Sequence, residues 1–283
     1  MLYIVGTPIG NLGDITLRAL ETLRNVDFIC AEDTRVTAGL LAHFDIKKPL
    51  ISYYEHNKLT RGPQIAERLK KGENGALVTD AGMPGISDPG GDMIRLCIEN
   101  DLDYTVVPGP VAFVTGAVLS GLPTEALLFL GFMPENKGKQ ADFIKRIVNS
   151  DATVVLYESP YNLKKTLSVL QKNVPERRTA VVRELTKIYE EARRGSLGEL
   201  ADYYNETEPR GEFVIVIDGS NAKPMENEQP SVDTESAEFR ESVKKEVTEL
   251  MEKNGLARNE ALRTVGKKYG LGRNEIYKIV NGD

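Results

Sequence analysis

Thirteen consecutive residues, Thr79-Asp80-Ala81-Gly82-Met83-Pro84-Gly85-Ile86-Ser87-Asp88-Pro89-Gly90-Gly91, place four glycines, two prolines and two carboxylates between an apolar run and a helix-period segment. Connectors in strand–helix units normally take two to six residues, and ordering thirteen costs entropy, so this loop is expected to hold a ligand at the C-terminal end of a strand. Two more loops share the setting: Gly6-Thr7-Pro8-Ile9-Gly10-Asn11-Leu12-Gly13 and Val107-Pro108-Gly109-Pro110-Val111-Ala112. Their glycines permit close backbone approach to a ligand. The first loop has neither G-x-G-x-x-G spacing nor a following Gly-Lys-Ser/Thr, so dinucleotide and Walker-type phosphate binding are not indicated. Polar clusters end other apolar runs: Glu32, Asp33 and Arg35 in AEDTR, Tyr54 and His56 in YYEHN, Glu158 in YESP, and Arg183, Glu184 and Lys187 in RELTK. At such positions acid–base chemistry and phosphate contact compete with helix capping and ion pairing. Only His43 and His56 are present, and Cys30 and Cys97 lie singly in apolar stretches, so no metal-ligand spacing is found and none is expected.

The elements that must position these loops alternate. Apolar, β-rich runs at 2–5, 27–33, 50–54, 75–82 and 103–110 alternate with helix-period segments, the last a small-residue helix at 111–121. This predicts an α/β layer structure with a mostly parallel sheet and the three loops clustered at one edge. Beyond Pro123 a second set of strands is expected at 127–132, 153–158, 178–185 and 212–218, with helices near 139–150, 160–172 and 197–205. The reading is therefore two α/β lobes, 1–120 and 121–218, whose strand ends face a shared cleft. Residues 219–236 carry two prolines and four acids against one lysine and read as a linker. After it, Phe239, Val243, Val247 and Leu250 fall at helical spacing, and GLARNEALRTV is echoed by GLGRNEIYKIV. A helix, a turn at Gly270-Leu271-Gly272 and a second short helix make residues 237–283 a helix-turn-helix-like module. Across the repeat, residues 255–283, Arg258, Arg263, Lys267, Lys268, Arg273 and Lys278 outnumber Glu260, Glu275 and Asp283.

The chain has 283 residues, 41% of them hydrophobic, which is enough for real cores and excludes a disordered or fibrous protein. Thirty-six Lys and Arg against 42 Asp and Glu leave a net charge of −6, so a nucleic-acid partner would need local basicity. Two cysteines build no disulfide framework, which suits a reducing cytoplasm. The start lacks a basic leader, and the longest nearly apolar run, 111–122, is shorter than the roughly 20 residues of a membrane span, so no membrane partner is expected.

The motifs VGTPIGNLGDIT, AEDTR, TDAGMPGISDPG, VPGP, GFMP, YESP, RELTK and RGEFVIVID, in that order over residues 1–218, resemble those of the tetrapyrrole-methylase-fold enzymes, most closely the members that modify ribosomal RNA. The helical module after an acidic linker resembles theirs as well. The resemblance implies a two-lobed methyltransferase, usually a homodimer, that binds S-adenosyl-L-methionine between its lobes. It also implies methylation of the ribose 2′-oxygen of a cytidine in the decoding region of 16S rRNA in the small ribosomal subunit. It places the cofactor at Pro8, Ile9, Asp80, Gly82, Met83, Ile86, Val111 and Ala112, with Phe132, Tyr157 and Gly211 from the second lobe. For the proton acceptor or ribose-orienting groups the candidates are Glu32, Asp33, Arg35, Glu184 and Lys187, with His56, Glu158 and Arg183 beside them. The chain departs from the family pattern where Tyr161-Asn162 replaces a frequent His-Arg after YESP, where Tyr189 stands in place of a common histidine, and where Met83 replaces a frequent threonine. A tetrapyrrole methylase and a non-catalytic RNA-binding factor of the same fold remain as alternatives.

Overall fold

The computed structural model describes residues 1–219, 237–254, 257–269 and 273–281. Residues 1–222 and 223–283 form two compact units. In the first, strands β1 (Leu2–Val5), β2 (Phe28–Ala31), β3 (Leu50–Ser52), β4 (Gly75–Val78) and β5 (Tyr104–Val107) make one sheet in the order β3-β2-β4-β1-β5. All four pairings are parallel. Side chains alternate across such a sheet, so strands β1 to β4 each feed two cores, while β5 contributes only Val107. Val5, Ile29, Ala31 and Val78 pack with Ala19, Leu23 and Leu41 from α1 (Leu17–Asn25) and α2 (Thr34–His43). Leu2, Ile4, Phe28, Cys30 and Leu77 pack on the other face with Ile65, Leu69, Met93 and Cys97 from α3 (Lys58–Lys70) and α4 (Gly90–Glu99). Both cysteines are buried free thiols, and burial pushes Cys30 up to about 12.

The second sheet contains β6 (Leu127–Phe132), β7 (Thr153–Glu158), β8 (Arg178–Arg183), β9 (Glu191–Ser196) and β10 (Phe213–Ile217), in the order β6-β7-β10-β8-β9. The parallel pairing expected and found in the first sheet does not extend to this one, where only β6 and β7 are parallel. Strand β10 runs antiparallel between β7 and β8, and β9 antiparallel along β8. Strand β9, EARRGS, has no apolar run and is invisible to pattern reading. It is an edge strand whose arginines are used: the Arg193 guanidinium lies 3.8 Å over the Tyr203 ring, and Arg194 donates to the Leu119 and Ser120 carbonyls.

Helices α6 (Lys137–Val148), α7 (Leu163–Gln171) and α8 (Leu197–Glu206) cover one face of this sheet. The small-residue helix α5 (Ala112–Ser120) covers the other, where Ala117 packs with Val155, Ala180, Val182, Val214 and Val216. Gly116 is needed for that approach, since a Cβ there would sit 2.8 Å from Val214 Cγ1. Ile9, from the first loop, joins the same core.

The second unit contains α9 (Ala237–Asn254), α10 (Arg258–Tyr269) and α11 (Arg273–Asn281) around Phe239, Val243, Val247, Ala261, Leu262, Val265 and Ile276. Tyr269 packs edge-on against Phe239 and donates to Glu246 Oε2 at 2.8 Å. Apart from Gly219, the expected linker at 219–236 lies outside the described residues, as does the turn at 270–272. Among the described residues no helix is long and apolar enough to cross a membrane.

Candidate active site

Strand order accounts for the clustering of the loops. Because β2, β4, β1 and β5 are consecutive neighbours, the AEDTR, aspartate, first and third loops leave the same sheet edge side by side. Two backbone hydrogen bonds join Thr7 and Gly82, 2.9 and 3.1 Å long, and Thr7 Oγ1 donates to the Thr79 carbonyl at 3.1 Å. First and third loops touch backbone to backbone: a Cβ on Gly109 would lie 2.9 Å from three main-chain atoms of Gly6. The long loop is organised by its own second aspartate. Asp88 accepts from the N–H groups of Gly85, Ile86 and Gly90 at 2.7–3.2 Å. That carboxylate is engaged internally.

The second sheet supplies the opposing wall. Phe213 at the start of β10 pairs with Glu158 on one side and Arg183 on the other, so the ends of β7 and β8 flank the chain entering β10. After β8 the backbone is strained, with Glu184 at φ +51 and Thr186 at φ +65. Gly211 (φ +90) makes room for this segment, for a Cβ there would lie 2.5 Å from Glu184 Oε1. Gly10 meets it from the first lobe, where a Cβ would lie 2.6 Å from Lys187 Cγ.

Lys187 Nζ bridges Glu184 Oε1 and Glu212 Oε2, each at 2.9 Å. Burial favours the neutral forms of both Lys187 and Glu184, but their mutual hydrogen bond, the contacts to Glu212 and the opposite charges outweigh it. Glu184 is held below, and Lys187 above, its ordinary value. Lys187 is thus a permanent cation rather than a proton acceptor.

Between the lobes lies a cavity of about 540 Å³. Ile9, Met83, Val111, Ala112, Phe132 and Tyr157 give it apolar walls, and Gly82 and Ile86 also line it. Tyr157 stacks edge-on against Phe129 and Phe132, and its hydroxyl accepts from the Phe113 N–H at 3.1 Å. Burial raises that phenol, so it stays neutral. The polar lining contains Glu32, Asp80, Asp88, Glu158 and Glu212, five carboxylates, and no Lys, Arg or His. A second cavity of about 350 Å³, lined by Pro8, Gly10, Val36, Leu40 and Lys187, shares Ile9, Thr79, Asp80, Ala81 and Glu212 with the first. Among the described residues no group of three or more His, Cys, Asp or Glu could hold a metal ion.

The carboxylates differ in what they have left to offer. Glu158 is buried and accepts from Thr166 Oγ1 and the Ser159 N–H. Asp80 Oδ1 accepts from the Asp33 N–H at 3.0 Å, and Glu32 Oε2 accepts from Thr79 Oγ1 at 2.7 Å. Among the described residues each keeps one oxygen without a hydrogen-bond partner, as does Glu212 with its Oε1. Asp33 and Arg35 are outside both linings: Asp33 caps α2 and is held at about 2 by hydrogen bonds from the Arg35 side chain and N–H. Glu184 and Gly211 also stand behind the wall rather than in it. His56 follows the edge strand β3 and packs against Tyr54, outside both cavities. Arg183 pairs with Glu191 at 3.2 Å. Leu185, in RELTK, and Glu212, Phe213 and Val214, in RGEFVIVID, complete the wall although they are not among the expected site residues; the pairing of β10 between β7 and β8 brings them there.

Residues 1–201 match the profile of the Tetrapyrrole (Corrin/Porphyrin) Methylases, and the chain belongs to that family. Similar solved structures include uroporphyrin-III C-methyltransferase from Thermus thermophilus in complex with S-adenosyl homocysteine (TM-score 0.56, 18% identity, 77% of this chain and 96% of that one). Another is the cobalamin biosynthetic enzyme cobalt precorrin-4 methyltransferase (TM-score 0.57, 18% identity, 77% and 94%). Relatives similar over nearly the whole chain include ribosomal RNA small subunit methyltransferases I. Those of Streptococcus pyogenes serotype M1 and Synechocystis are 41% and 40% identical, over 98% and 99% of this chain and 93% and 96% of theirs. The Bacillus subtilis relative is 39% identical over 98% of this chain and 92% of its own length.

Proposed function

We propose that the protein is an S-adenosyl-L-methionine-dependent methyltransferase that modifies the ribose 2′-oxygen of a cytidine in the decoding region of 16S rRNA. The observation that carries this is the cavity between the lobes, which combines apolar walls with five carboxylates and no cationic side chain. Such a donor set suits a ligand bearing a sulfonium and an ammonium and opposes a polyphosphate. Relatives matching nearly the whole chain, the C-terminal helices included, act by name on small-subunit ribosomal RNA rather than on a tetrapyrrole.

In this reading Ile9, Met83, Val111, Ala112, Phe132 and Tyr157 bind the cofactor's apolar faces. Pro8, Gly82 and Ile86 supply backbone shape, Asp80 faces the positive charge, and Gly211 lets Glu184 support the wall. The bound cofactor supplies an electrophilic methyl group. Glu32, through the oxygen not engaged by Thr79, accepts the 2′-hydroxyl proton as the ribose oxygen becomes nucleophilic. Asp33 fixes the start of α2 and holds Arg35, whose exposed guanidinium reaches RNA phosphate. Glu184 orients Lys187 as a second phosphate contact. Holding acceptor and donor in line on two rigid lobes supplies a large part of the rate enhancement. The working form is a cytoplasmic homodimer acting on the small ribosomal subunit.

The test is methyl transfer from labelled S-adenosyl-L-methionine to 30S subunits from cells lacking this protein, with nuclease digestion and mass spectrometry to locate the label. A 2′-O-methylcytidine in the decoding region is the expected result. Cofactor binding without labelled RNA would overturn the RNA assignment, and absence of cofactor binding would overturn the enzymatic one.

A further inference from the structure

Two exposed tyrosines follow cavity-lining segments in the chain and have no role in packing among the described residues. Tyr161 is 94% exposed and Tyr189 73%, with Ile188 beside the latter at 95%. Neither tyrosine side chain makes a hydrogen bond or ring contact with another described residue. Single exposed apolar residues are ordinary, so placement decides the matter. Tyr161 directly follows Glu158, Ser159 and Pro160 of the larger cavity, and Tyr189 lies two residues beyond Lys187 of the smaller one. Strands β7 and β8 both run antiparallel to the β10 strand between them, so both loops leave the same sheet edge from strand ends about 10 Å apart.

The backbone that carries each tyrosine is held by hydrogen bonds. The Asn162 and Leu163 N–H groups donate to the Ser159 carbonyl in the turn carrying Tyr161. Around Tyr189, the Lys187 N–H donates to Glu184 O, the Glu190 N–H donates to Lys187 O, and Glu190 Oε2 accepts from the Thr186 N–H at 2.7 Å. Preorganised turns that present aromatic rings to water suit a planar partner, since the backbone needs little further ordering. Cations are close by in the chain: Lys187 itself, and exposed Arg210 before Gly211, which makes no ion pair among the described residues.

We propose that Tyr161 and Tyr189 are a stacking platform for the unpaired RNA bases flanking the acceptor nucleotide, with Lys187 and Arg210 along the phosphates; this rests on RNA being the substrate, as proposed above. Aromatic faces accept any base, so the platform would splay and position the strand without reading its sequence.

The experiment compares Tyr161→Ala, Tyr189→Ala and the double variant with Tyr161→Phe and Tyr189→Phe in methyl transfer to 30S subunits and to naked 16S RNA. Affinity for S-adenosyl homocysteine is measured in parallel. Each alanine is expected to raise KM for both RNA substrates by about five- to a hundredfold, the range of a lost base stack, with cofactor affinity unchanged. Each phenylalanine is expected to stay within about twofold of wild type. Alanine variants indistinguishable from an active wild type would overturn the stacking role, as would loss of cofactor affinity, which marks a structural role. A defect on 30S subunits but not on naked RNA would also overturn it, in favour of a ribosomal-protein contact. Absence of RNA methylation by the wild type would instead remove the proposed function, and this inference with it.

Discussion

Helix α5 opens beside the larger cavity without a capping side chain. Its N-cap, Val111, has extended backbone (φ −136, ψ 112) and no oxygen to offer. The second N–H of the helix, that of Phe113, goes instead to the Tyr157 hydroxyl on the other lobe's sheet, at 3.1 Å. Tyr157→Phe keeps the ring against Phe129 and Phe132 and removes only this acceptor. The expected cost is that of a lost cap with a donor left unpaired, about 1–2 kcal/mol. For a protein of this size that corresponds to a fall in Tm of roughly 2–8 °C. Val111→Thr supplies a near-isosteric side chain whose hydroxyl, at the N-cap, accepts from the same or the next N–H. In the Tyr157→Phe background it should restore about 1 kcal/mol, whereas in the wild type, where Phe113 is satisfied, it should change stability by less than about 0.5 kcal/mol. The assay is thermal and urea unfolding of the four proteins of the cycle without ligand. A Tyr157→Phe protein as stable as wild type, or equal effects of Val111→Thr in both backgrounds, would refute the capping argument.

Other expectations follow from the same geometry. Gly109→Ala drives a Cβ into the Gly6 backbone, which cannot yield as a side chain end would, so it should cost about 1–3 kcal/mol and weaken S-adenosyl homocysteine binding in titration calorimetry. Asp80→Asn should lower affinity for S-adenosyl-L-methionine more than for S-adenosyl homocysteine, since only the former carries the sulfonium charge; equal losses would remove Asp80 from that role. The Lys187–Glu184 contact stabilises above the ordinary carboxylate value of 4.5 and weakens as pH falls through the lowered value of Glu184. On the alkaline side it is complete below 10.5 and is lost as pH rises through the raised value of Lys187. The stability gap between wild type and Lys187→Met should therefore be flat from about pH 5 to 10 and narrow outside that window, as read by denaturant titration at each pH. Arg263→Glu with Lys278→Glu, both on exposed positions of the C-terminal helices, should weaken RNA binding and flatten its dependence on salt while leaving methyl transfer at saturating RNA unchanged.

What the sequence by itself determines here is local. The alternation of apolar runs with helix-period segments marks every strand except β9. The proline- and glycine-rich composition of residues 79–91 marks the long loop that lines the larger cavity, and the spacing of Phe239, Val243 and Val247 marks a buried helix face. These signals are carried by neighbours in the chain, so they survive without knowledge of the fold. The tertiary structure alone decides which distant segments become neighbours. It inserts β10 antiparallel between β7 and β8, bringing Leu185, Glu212 and Val214 into the cavity wall. It lays α5 on the second sheet, and it stabilises EARRGS as an edge strand through an aromatic ring and two carbonyls far away in sequence. It also separates the carboxylates that look alike in the sequence, engaging both oxygens of Asp88 and Glu158 while leaving one oxygen of Asp80, Glu32 and Glu212 without a hydrogen-bond partner among the described residues. A carboxylate's role depends on its hydrogen-bond partners and its exposure, and both are set by packing between segments that no local pattern connects.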